Sequence, residues 1–161
     1  MACGVVAKLS NKEATHSSPI WRDRSNFIIA AKFQIDDETF TEQLWARQID
    51  EYTFEVCCIP FLVYDLALGD VVETNHEYVV KRVLSRSGRY VFRVIFAGTN
   101  AFNSDRVVFA LLELGALIEY SSSNVISVDC VPSRAQDVAK ILSAEEQAER
   151  LIYETGKKVQ D

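Results

Sequence analysis

At 161 residues, 48% apolar and 25% charged, the chain has the size and balance of one globular domain, or of two small subdomains on a shared core. A net charge of −6 argues against direct nucleic-acid binding, which needs a basic stripe, and it permits a basic protein partner. No apolar run approaches the roughly 20 residues of a membrane span, and the first one ends at Lys8, too early for a signal peptide, so a cytoplasmic protein without a membrane partner is expected.

Residues 1–24 are polar and interrupted by Pro19, and read as a flexible lead-in. Residues 26–35 alternate as a strand with Phe27, Ile29, Ala31, Phe33 and Ile35 on one face. An acidic turn at 36–39 leads to a second strand over 40–49, where Phe40, Glu42, Leu44, Ala46 and Gln48 oppose Thr41, Gln43, Trp45, Arg47 and Ile49. Asp50 and Glu51 turn the chain into a third strand over 52–59, ended by Pro60, which has no N–H for a ladder. Gly69-Asp70 makes a turn before a short strand at 71–74, and 78–84 forms another. Short connections between sequential strands predict an antiparallel meander curled into a partial barrel over residues 25–86.

The second half changes period. Residues 89–97 are apolar on both faces, as in a strand covered on two sides. Asn103 or Ser104 offers a cap for a helix whose stripe is Val107, Val108, Leu111, Leu112 and Leu114, closed by Gly115. A hairpin follows over 116–130. Ser133 with Gln136 has capping-box spacing, and Ser143 with Glu146 repeats it, which predicts a break near Ser143 and a further helix through Leu151 and Tyr153 to Gly156. Residues 87–156 thus read as β-α-β-β-α, the ferredoxin-like order lacking its last strand, with the strand at 78–84 available to fill that place. The fold class is α+β, with a tail at 157–161.

Cys3, Cys57, Cys58 and Cys130 contain no CxxC pair and read as free thiols of a reducing compartment. His16 and His76 lack partners at ligand spacing, so neither a metal nor another cofactor is expected. His76 also lacks a nucleophile to serve as a general base, and no catalytic constellation emerges. Asp65, Asp70 and Glu73 suit turn chemistry better than a cation site. Gly98, Thr99 and Asn100 precede a helix and are the place where a small ligand could meet backbone N–H groups. Trp45, Arg47 and Tyr64 are residue types enriched at interface hot spots. Asp36, Asp37, Glu38, Glu42, Asp50 and Glu51 would form one acidic face if the meander brings its turns together.

Leu44-Trp45-Ala46, Ile59-Pro60-Phe61, the turn from Leu66 to Val72 and Ser87-Gly88 occur in an order that resembles a bacterial family catalogued as a domain of unknown function. The resemblance spans roughly residues 25–153 and implies kinship, with no catalytic residue to carry over. In size and charge the chain is also similar to immunity proteins that neutralise toxins. The sequence therefore suggests a non-catalytic protein-binding protein, of immunity type against a basic toxin. The alternative is a ferredoxin-like module that senses a small ligand.

Overall fold

The computed structural model describes residues 12–98 and 101–157. Twelve elements follow in order: β1 (Glu13–Ala14), β2 (Phe27–Ile35), β3 (Glu38–Asp50), β4 (Thr53–Val56), β5 (Val71–Thr74), β6 (Val80–Ser85), β7 (Tyr90–Phe96), α1 (Ala101–Glu113), β8 (Leu117–Ser122), β9 (Val125–Cys130), α2 (Ala135–Gln147) and β10 (Leu151–Thr155). They build two sheets, one from β1 to β6 and one from β7 to β10.

The first sheet is the expected meander. Asp36 and Asp37 take positive φ (50° and 65°), which turns β2 tightly back into β3. Strand β3 is the spine: β2 lies along one edge, and β1 and β4 share the other. The curl ends where the Ala30 amide donates to the Tyr78 carbonyl at 2.9 Å, beside a parallel bridge from Ala30 to Val79. The meander thus curls back onto its own first strand. Ile29, Leu44, Ala46, Phe54, Val56 and Val72 fill the interior, as the alternation of these strands requires.

In the second sheet the order is β10-β7-β9-β8, with antiparallel neighbours throughout. Phe92, Val94, Phe96, Ile126, Val128 and Cys130 pack with Val107, Leu111, Val138 and Leu142 of the two helices. The opposite face of this sheet is covered by residues 57–68, which cross it without regular structure: Ile59 and Leu68 sit with Val91, and Phe61 and Leu62 with Val125. That is why β7 is apolar on both sides.

Several expectations need correction. The segment 151–155 is strand β10 against β7, not helix; α2 runs through Ser143 unbroken and stops at Gln147, and Glu149 turns the chain with φ 60°. The strand at 80–85 stays in the first sheet and fills no place in the second. Helix α1 starts at Ala101, so Asn103 and Ser104 lie inside its first turn, and Ser133 makes no side-chain cap for α2. From Lys12 onward the lead-in is packed: β1 pairs with β3, and Ala14 and His16 are buried. No helix among the described residues is long and apolar enough to cross a membrane.

Candidate functional site

Three polar side chains lie in one row across the buried face of the second sheet. Arg93 is registered opposite Ser127, and Ser127 opposite Glu119. The row meets the irregular segment 57–63, whose backbone groups have no ladder and need partners. Ser127 donates to the Ile59 carbonyl at 3.1 Å, and Arg93 donates to the carbonyls of Leu62, at 2.9 Å, and Val63. The Ile59 amide donates to Glu119.

From the first sheet comes Glu42, fully buried, whose carboxylate accepts the amides of Phe61 at 2.7 Å, Leu62 at 2.9 Å and Val63 at 2.9 Å. His16 sits between the two carboxylates. Its Nε2 donates to Glu42 and its Nδ1 to Glu119, each at 2.8 Å, with the Phe61 ring stacked at 4.0 Å. Both nitrogens donate, so the ring is an imidazolium. Burial would depress its pKa, but Cys58 and the two carboxylates outweigh burial and hold His16 well above its ordinary value. Burial would raise Glu42, and His16 with the amides of Phe61 and Val63 brings it below the usual range. The Cys58 thiol is pushed up by burial, partly opposed by His16. His16, Glu42 and Cys58 have no exposed side-chain surface, so the group clamps two sheets to one segment and offers a substrate no access. Among the described residues no three His, Cys, Asp or Glu side chains converge to hold a metal ion.

The surface holds a different arrangement. Trp21 and Trp45 are half-buried, with the Trp45 indole N–H donating to the His16 carbonyl at 3.1 Å. The Arg22 guanidinium lies over Trp45 at 5.5 Å, and Arg24 and Arg89 lie over Trp21 at 5.5 and 5.9 Å. Glu55 ties Arg24 to Arg47, and Asp129 holds Arg89 in a bidentate pair. Gly69 turns the chain beside Trp21 with φ +83°, and a Cβ there would meet Ser87 at 3.1 Å and the indole at 3.4 Å. Four arginines and two indoles thus occupy one continuous patch on a chain of net charge −6.

The expected sites fare unevenly. Trp45 and Arg47 belong to this patch. Tyr64 is committed internally: its hydroxyl donates to Glu154 at 2.9 Å, Arg93 lies 4.7 Å from its ring, and burial with Glu154 pushes its pKa up to about 12. Glu42 is a core residue and cannot meet a partner, because it faces inward with Phe40, Leu44 and Ala46. Asp36, Asp37 and Glu38 form the turn at one end of β3, while Asp50 and Glu51 lie at the other, about 40 Å away at strand rise. The turns do not make one acidic face. Asp70 is buried and accepts the amides of Ala67 at 3.0 Å and Ser87 at 2.8 Å, and Glu73 pairs with Lys81 and Arg82. His76 is exposed in a turn. Gly98 is exposed with φ +70°, and Thr99 and Asn100 lie outside the described residues. Cys57, Cys58 and Cys130 are free and buried. Trp21, Arg22 and Arg24 were not anticipated, although Trp-Arg-Asp-Arg is a dense aromatic and basic run in an acidic chain.

No curated protein matches the chain. A solved structure described as a hypothetical protein from Neisseria gonorrhoeae is similar in fold, with a TM-score of 0.70 at 18% identity over 83% of this chain and 96% of that one. The family model for DUF4265, a domain of unknown function, matches residues 42–152, and the chain belongs to that family.

Proposed function

We propose that this protein is a non-catalytic, cytoplasmic binding protein that meets an acidic protein partner through the patch formed by Trp21, Trp45, Arg22, Arg24, Arg47 and Arg89. The observation that carries the reading is the set of three guanidinium groups over two indoles. Trp and Arg are the residues that dominate interface hot spots; Arg24 and Arg89 already hold Glu55 and Asp129, so Arg22, stacked on Trp45, is the guanidinium best placed for a partner's carboxylate. The protein partner expected from the sequence is kept; the burial of Glu42 and the placement of the acidic turns at opposite ends of β3 favour this surface, and hence an acidic partner, over a single acidic face. We also infer that the second unit is ferredoxin-like, which the β-α-β-β-α-β order and the place of β10 beside β7 support.

The test is to isolate partners from the source cells in parallel with the wild-type chain, an Arg22→Glu/Arg24→Glu variant and an Asp36→Asn/Asp37→Asn variant. The reading requires a partner with an acidic contact segment that the arginine variant loses and the aspartate variant keeps. The reverse pattern would restore the toxin-immunity reading and sink this one.

A further inference from the structure

A second feature lies beside the patch and does not depend on it. An open cleft of about 520 Å³ lies between the loop at 65–70, the start of β7 and the end of β10. Its frame is fixed by backbone bonds: the Asp65 amide donates to the Gly156 carbonyl and the Gly156 amide to the Val91 carbonyl, each at 2.8 Å. A Cβ at Gly156 would lie 3.1 Å from the Val91 side chain, so a larger residue here would push the strand end a few tenths of an ångström off β7.

The chemistry of the walls is divided. Leu66, Ala67 and Val91 give an apolar floor. Asp70 lines the cleft but points its carboxylate at backbone amides, and Arg89 spends its guanidinium on Asp129. The cations facing the opening are Arg86, with 59% of its side chain exposed, and Lys157, whose ammonium lies 5.1 Å over the Tyr90 ring. Arg86 also reaches the Asp65 carbonyl and stands 3.5 Å from Asp70. Asp65 borders the rim as well, and its charge disfavours a dianion there.

We infer that this cleft is a binding site for a small monoanionic organic acid. Its apolar body lies on Leu66, Ala67 and Val91, and its carboxylate meets Arg86 and Lys157. The volume suits such a ligand, since small-molecule sites span roughly 300–1,000 Å³ and combine an apolar lining with a few placed polar groups.

Amide chemical-shift titration of the full chain tests it, with sodium hexanoate, hexanol and inorganic phosphate as probes. Hexanoate is expected to give saturable shifts at Leu66, Ala67, Val91 and Gly156 with a Kd on the order of 1 mM. Hexanol and phosphate are expected to bind at least about tenfold more weakly, and Arg86→Gln/Lys157→Gln is expected to weaken hexanoate by about tenfold. Melting curves establish that the variant is folded. The absence of saturable shifts, equal binding of hexanol or phosphate, or full hexanoate affinity in the folded variant would each overturn the proposal. These residues are not those varied in the partner test, so either reading can fail without the other.

Discussion

Glu42 and Glu119 reach the two nitrogens of one imidazole from different sheets, each at 2.8 Å. Between them His16 carries a proton on each side, and the amides of Ile59, Phe61, Leu62 and Val63 satisfy the remaining lone pairs. A buried ion group of this kind contributes little relative to a well-packed apolar core, but removing one member strands the others.

His16→Ala is therefore expected to destabilise the fold by about 3–5 kcal/mol, because two buried carboxylates lose their shared counter-charge. Urea denaturation of the variant measures it. A loss below about 1 kcal/mol, the range of an exposed pair, would contradict the buried imidazolium.

The same group sets a pH dependence. His16 is raised in the folded state, so its contribution is full below the unfolded value of 6.5 and is lost as pH rises through the higher folded value. Glu42 is lowered, so its contribution is full above 4.5 and is lost as pH falls through the lower folded value. Both are complete between 4.5 and 6.5, and stability should decline on the alkaline side of that window. A His16→Gln variant should lose the decline that begins above 6.5 and keep only the later one of the buried thiols, which burial raises from 9.0; Cm measured across pH for both chains decides it.

Smaller changes grade the clamp. Ser127→Ala removes one bond to the Ile59 carbonyl and should cost about 1 kcal/mol. Arg93→Met strands the Leu62 and Val63 carbonyls and should cost several times more. Equal losses in the two variants, measured by denaturation, would contradict the assignment of Arg93 as the main partner of that segment.

Much of this was legible in the sequence, and the misses have physical causes. The meander and the two-faced β7 followed from period-2 patterns that burial enforces. Glu42 stands on the Phe40–Leu44–Ala46 face and Arg93 between Val91 and Ile95; a charge on an apolar face is the mark of a buried, paired group, and that signal was present. His16 gave no such signal, because its partners lie 26 and 103 residues away. Strand β10 was hidden because Leu151-Ile152-Tyr153 is too short to separate a strand from a helix end, and its preceding turn uses Glu149 where glycine would have marked a stop. The acidic turns were read correctly as turns, but the length of β3 separates them.

Gly69 links fold to surface. Gly69→Ala must hold φ at +83° and bring a Cβ to 3.1 Å from Ser87 and 3.4 Å from Trp21. It should cost about 1–2 kcal/mol, from the left-handed backbone and the close Ser87 contact. A Tm drop is the expected result; a stability equal to the wild type would show that the loop holds neither feature rigidly.

Both tryptophans of the chain lie in the arginine patch, so intrinsic Trp fluorescence reads that surface directly. Titration of the purified chain with its isolated partner should change the Trp emission saturably. Affinity should fall as salt rises, and Arg22→Glu/Arg24→Glu should weaken it at least about tenfold. Tight binding with unchanged Trp emission and unchanged affinity in that variant would place the interface elsewhere and contradict the account.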